Sequence, residues 1–198
     1  MNQSPLIFRT AMIVAVFFAL AFPAAAQQNA AFGPNYDIVL QLIVGSNESQ
    51  NSELPKELSS ISRQLRSHFA FSGYRLANTF LGRVGENGNL EYKSVANILD
   101  KDSGVGAPTF LDWTIGRFAG SPDTGAKTAF QAETFRFGAR VPVRLSPKPE
   151  MPLSYENIGL SLNRLGFTAN VPTLLGTISL PQASGTMFLV ITVKQAAM

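Results

Sequence analysis

Phe135-Arg136-Phe137-Gly138-Ala139-Arg140-Val141-Pro142-Val143-Arg144-Leu145 is the clearest run of alternation in the chain. Phe135, Phe137, Ala139, Val141, Val143 and Leu145 fall on one side, and Arg136, Gly138, Arg140, Pro142 and Arg144 on the other. A period of two is the signature of a strand with one buried and one wet face, so the stretch predicts a half-buried antiparallel strand. Proline has no amide hydrogen to give to a ladder, and Pro142 therefore marks an edge strand or the end of pairing.

The same period recurs on both sides of this strand. Upstream, residues 74–84 and 90–99 flank Gly85-Glu86-Asn87-Gly88-Asn89, and Asn87-Gly88 predicts a tight hairpin turn joining them. Leu111, Trp113 and Ile115 alternate in a further strand, closed by the turn Gly120-Ser121-Pro122-Asp123-Thr124-Gly125. Downstream, Ser146-Pro147-Lys148-Pro149-Glu150-Met151-Pro152 reads as a stiff extended connection of polyproline character. Further strands are expected around Ile158-Leu160-Leu162, at 167–171, at 174–180 and at 187–193. Residues 38–44 and 187–193 are near-continuous apolar runs too short for helices, the pattern of central strands.

One segment breaks the rule. Leu54, Leu58, Ile61, Leu65 and Phe69 recur at spacings of four and three, and Lys56, Glu57, Arg63, Gln64 and Arg66 take the other face. This predicts an amphipathic helix with Ser52 as N-cap, Glu53 at the positive end of the dipole and Pro55 in the first turn. One early helix with about seven or eight strands makes the fold class α+β: a mostly antiparallel β-sheet or sandwich with the helix packed on it. The helices of a parallel βαβ architecture are missing.

The first 26 residues read as an export signal. Arg9 supplies the charge, residues 11–22 an uncharged apolar core, and Ala24-Ala25-Ala26 the A-x-A exit. About 12 apolar residues fall short of the roughly 20 that a spanning helix needs, so cleavage is expected and no transmembrane helix is expected in the mature chain. Residues 27–35, interrupted by Gly33-Pro34, read as a flexible leader, and 36–198 as a single α+β domain. The expected destination is periplasmic or extracellular, with outer-membrane association as a variant.

Composition narrows the chemistry. The chain has no cysteine, so no disulfide, thiolate nucleophile or thiolate metal site is available and the fold must rest on its apolar core. Without Arg9, fifteen basic side chains face thirteen acidic ones, too even a balance for a nucleic-acid binder. The lone histidine, His68, lies at the end of the helix with no G-x-S-x-G motif anywhere, and reads as a C-terminal cation or packing residue. Asp100-Lys101-Asp102-Ser103-Gly104 opens like a calcium loop but fails at Gly104 and Leu111, leaving a solvated turn. Gly82-Arg83-Val84-Gly85 and Gly104-Val105-Gly106 continue into neither glycine-rich phosphate motif and read as turn residues. No catalytic group, cofactor or metal is expected.

Arg136, Arg140 and Arg144 remain as the sharpest polar feature, spread along about 26 Å of one strand face at 3.3 Å per residue. They are the candidate partner-contact residues, suited to an acidic protein or another anionic surface. The plain alternative is a wet strand face paired across to Glu91, Glu133 or other acids. The resulting expectation is an exported, non-enzymatic cell-envelope protein, a binding or assembly component acting through strand surfaces and edges. Its partner would be an envelope protein or an anionic surface, and homo-oligomerisation fits the same edges. Two other readings stay open: a small outer-membrane β-barrel, which also has alternating ten-residue strands, and a secreted hydrolase using Asp112, Glu133 and Glu156.

Overall fold

A computed structural model of the chain describes residues 33–47, 53–96, 98, 107–121, 129–143, 153–181 and 185–196. Residues 33–198 form one compact unit. Its strands are β1 (Asn35–Ser46), β2 (Gly73–Gly85), β3 (Gly88–Ala96), β4 (Thr109–Ser121), β5 (Ala129–Val143), β6 (Ser154–Thr168), β7 (Thr173–Ser179) and β8 (Gly185–Gln195). A 3-10 turn, Lys56–Leu58, leads into the helix α1 (Ser59–His68) between β1 and β2. The expected class, mostly antiparallel strands in two layers with one short helix, is what forms. The signal segment, Arg144, the polyproline connection and the Asp100 loop lie outside the described residues.

Two four-stranded antiparallel sheets make the layers, sheet A in the order β2-β1-β8-β7 and sheet B in the order β3-β4-β5-β6. Sheet B is a plain meander. In sheet A the first and last strands pair along their length, from Tyr36 opposite Gln195 to Ser46 opposite Gly185. The main core lies between the sheets. It takes Ile38, Leu40, Leu42 and Val44 from β1 and Met187, Leu189, Ile191 and Val193 from β8. From sheet B it takes Leu111, Trp113 and Ile115 of β4 and Phe135, Phe137, Ala139 and Val141 of β5.

The helix lies on the opposite face of sheet A, where Leu58, Ile61 and Leu65 bury against Ile43, Tyr74, Phe188 and Val190. Strands β1 and β8 are thus covered on both faces, which is why their sequences run apolar without alternation. The helix begins later than its sequence suggests. Pro55 stands before the first turn, where its carbonyl accepts from the Leu58 amide, and the Ser52 cap lies outside the described residues. At the other end the Tyr74 hydroxyl reaches the Leu65 carbonyl, which also accepts from the Phe69 amide, at 3.1 Å and the Phe69 carbonyl just past the last turn at 2.9 Å.

Three sequence expectations are corrected. The Asn87-Gly88 turn forms, with Asn87 at φ 58°, but it does not make a paired hairpin. β2 pairs with β1 and β3 with β4, so the turn carries the chain from one sheet to the other. Core closure decides this: Phe80 and Tyr92 face each other across the interior with ring centroids 5.3 Å apart. Gly82 is therefore not a turn residue; it lies within β2, where a Cβ would come 2.4 Å from the Leu90 side chain. Finally, β6 is one strand of 15 residues that absorbs both the 158–162 and the 167 segments.

Glu86 pins the crossing turn to both layers. Its carboxylate accepts from the Tyr36 hydroxyl of β1 at 2.5 Å and from the Gly120 amide of β4 at 3.1 Å. Burial, then the hydrogen bond to Glu86, then the negative charge of Glu86 push the Tyr36 hydroxyl up to about 12.

Candidate contact surface on the second sheet

β5 is a central strand of sheet B, and its inward residues are Phe130, Ala132, Phe135, Phe137, Ala139, Val141 and Val143, all buried. Arg136 and Arg140 point from the outer face, as their phase in the sequence requires. Pro142 is no edge marker, because β5 has neighbours on both sides. Pairing with β4 ends at the Phe110–Arg140 pair, before Pro142 is reached, while pairing with β6 continues through Pro142–Tyr155 and Val143–Ser154, so Pro142 marks the end of the ladder on one side only.

Register then decides what surrounds each arginine. Arg140 lies opposite Phe110 of β4 and Asn157 of β6. Its guanidinium sits over two rings, 5.5 Å from the Phe110 centroid and 5.6 Å from that of Tyr155. The rings themselves are 5.7 Å apart. A guanidinium within about 6 Å of a ring centroid is attracted by the ring quadrupole, so the pair holds Arg140 in place without neutralising it. Arg136 lies opposite Thr114 and Ser161. Asp112 stands at the level between the two arginines, opposite Gly138, where a Cβ would come 2.8 Å from its carboxylate.

The two acids named as partners for the arginine row are engaged elsewhere. Glu91 pairs with Lys93 at 2.8 Å and Glu133 with Arg117 at 2.9 Å. The first pair lowers the Glu91 carboxyl and raises the Lys93 ammonium, each through the shared hydrogen bond and charge.

Large apolar side chains are also exposed at this end of the sheet. Val95, directly opposite Phe110, is 57% exposed, Phe110 40% and Leu153, at the mouth of β6, 37%, unusual values for large apolar side chains on a strand face. Phe110 and Tyr155 were the residues missed in the sequence. Phe110 carries a readable signal, since it shares the outward phase of Asp112 and Thr114 at the start of β4.

The proposed carboxylate trio does not converge. Asp112 sits level with Gly138, Glu133 five residues along β5 from that level, and Glu156 opposite Val141. Glu133 and Glu156 are therefore about 26 Å apart along the strand direction at 3.3 Å per residue. His68 is exposed in the last turn of α1, its Nδ1 2.9 Å from the Gln64 carbonyl and 2.9 Å from Ser67 Oγ. Among the described residues no group of three or more metal-ligating side chains gathers.

No family model matches the chain. No curated protein matches it either. Among solved structures it is similar to the secretin InvG (residues 176 to the end) of the Salmonella SPI-1 type III secretion injectisome in the open gate state. The two are 12% identical with a TM-score of 0.35, and the alignment takes in 96% of this chain and 66% of that one.

Proposed function

We propose that this chain is an exported cell-envelope protein that works by binding a partner across the outer face of sheet B. The observation that carries the reading is the Arg140 guanidinium held over Phe110 and Tyr155, with Val95, opposite Phe110, and Leu153, two residues before Tyr155, exposed at the same end of the sheet. Arginine and aromatic side chains dominate the energetics of protein interfaces, and a guanidinium already held over two rings loses less freedom on binding. The area suffices: four strands about 4.8 Å apart and some 13 residues long present roughly 800 Å², one partner's share of a standard interface. Export rests on the charge, apolar core and A-x-A exit of residues 1–26.

The face pattern argues against a membrane barrel. Apolar side chains here point between the sheets, while Lys93, Asp112, Arg136 and Arg140 point outward, the reverse of a barrel in lipid. Among the described residues no helix is long and apolar enough to cross a membrane.

The test is fractionation with crosslinking. Osmotic shock should release the processed protein, and a crosslinked adduct should be lost with Arg140→Ala and Phe110→Ala but retained with Leu81→Ala on sheet A. Full-length precursor in the cytosol, or an adduct indifferent to Arg140 and Phe110, refutes the reading.

A further inference from the structure

Sheet B carries a second feature at the far end of β5, about 23 Å from Arg140 at 3.3 Å per residue. Inward side chains along a strand normally recur every two residues, but here three neighbouring strands each insert one more at the same level. The inward pairs are Ile115 and Phe118 on β4, Ala132 and Phe135 on β5, and Leu162 and Leu165 on β6. The strands stay in register across the interruption: Gly116 opposes Thr134 and Phe118 opposes Ala132, while Thr134 opposes Asn163 and Ala132 opposes Leu165. Arg117, Glu133 and Arg164 are thereby set side by side on the outer face.

Both arginines adopt a left-handed backbone, Arg117 at φ 48° and Arg164 at φ 56°. That region is unfavourable for a residue with a long side chain, and a sheet that uses it twice at one level is holding those side chains against a local preference for glycine. Non-glycine residues kept in such conformations gather at ligand sites. The Arg117 amide is secured by Asn89 Oδ1 at 2.8 Å, and its guanidinium by Glu133 at 2.9 Å. The Arg164 side chain has no hydrogen bond or ion pair among the described residues. A groove of about 490 Å³ opens over the row, lined also by Ala119, Gln131 and Gly166, a volume within the range of small-ligand sites.

We propose that this groove is a carboxylate-binding site in which Arg164 makes the forked contact and the Arg117–Glu133 pair forms the opposite wall. Two guanidiniums against one glutamate leave a single positive charge, which one carboxylate balances. The planar guanidinium matches that group with two parallel N–H···O bonds. The carboxylate comes either from a small organic acid or from an acidic side chain on a polypeptide.

The test is a nitrogen-15 NMR titration of the processed protein at low ionic strength with glutarate, with a blocked tetra-aspartate peptide, and with sodium chloride at matched ionic strength. Glutarate or the peptide should give saturable shifts at residues 131–133 and 164–166 and at Arg164 Nε, with a Kd on the order of millimolar. Tenfold tighter binding of the peptide assigns the site to a polypeptide; equal or tighter binding of glutarate assigns it to a small acid. Arg164→Gln and Arg164→Gly should each abolish saturation. The glycine variant relieves the left-handed backbone and should melt no lower than the parent, so its loss of binding is not loss of fold. Shifts equal to those from sodium chloride, or shifts that survive both substitutions, overturn the proposal.

Discussion

Replacing Tyr36 with phenylalanine tests whether the Glu86 link between the two sheets carries stability. Tyr36 is 5% exposed, its ring lies within 5.2 Å of Phe118 and 5.1 Å of Phe130, and its hydroxyl donates to Glu86 at 2.5 Å. With the hydroxyl raised from 10.0 to about 12, an unfolded chain gives up this proton above pH 10 while the folded chain keeps it to about pH 12. The unfolded state then binds fewer protons, so folding stability is complete below pH 10 and falls as pH rises toward 12. A shift of two units corresponds to roughly 2 to 3 kcal/mol at the alkaline end. Tyr74 is also raised by its burial, so the informative quantity is the difference between parent and variant. At neutral pH Tyr36→Phe should cost about 1 kcal/mol, the net worth of one hydrogen bond, because Glu86 keeps the Gly120 amide. Between pH 10 and 12 its stability should fall less steeply than the parent's, and the gap should close and then reverse, because the roughly 2 to 3 kcal/mol lost by the parent exceeds the about 1 kcal/mol contributed by the hydroxyl. Urea unfolding followed by fluorescence of the single tryptophan, Trp113, measures both, since that ring is fully buried in the main core. Parallel pH profiles for the two proteins refute the reasoning.

Leu65→Ala should cost about 2 to 5 kcal/mol in urea unfolding, because Leu65 is fully buried beneath α1 against sheet A. Gly159→Ala should lower the melting temperature, since its Cβ would come 2.6 Å from the Phe137 carbonyl oxygen and force the β5–β6 pair apart at a cost of about 1 to 3 kcal/mol. Gly166→Ala on the same strand meets nothing within 4 Å and should stay within about 0.5 kcal/mol of the parent.

The helix and the two central strands were legible because their patterns reflect burial that neighbouring residues report directly: Leu58, Ile61 and Leu65 share one helix face, and the apolar runs of β1 and β8 are covered on both sides. The long strands of sheet B were legible only up to the level where their period breaks. The alternation legible in β4 covers Leu111 to Ile115, that of β5 starts at Phe135 and that of β6 falls into two pieces, because a period-two pattern changes phase at Arg117, Glu133 and Arg164. A left-handed residue inside a ladder leaves no local signal in an arginine. The Asn87-Gly88 turn was legible and the partners of its strands were not, since pairing there follows from closing the core over Phe80 and Tyr92. The outward phase of Arg136 and Arg140 could be read from sequence. Tyr155 and Phe110 come from 15 and 30 residues away, and only strand register brings them to Arg140.

The most direct measurement of the central claim is site-specific photocrosslinking in intact cells, with a benzophenone side chain placed singly at Phe110 or at Leu81, both exposed but on different sheets. A discrete adduct from position 110, absent from position 81 and abolished when Arg140→Ala is added, is the predicted result. Equal adducts from the two positions, or none from 110, contradict a contact surface on sheet B.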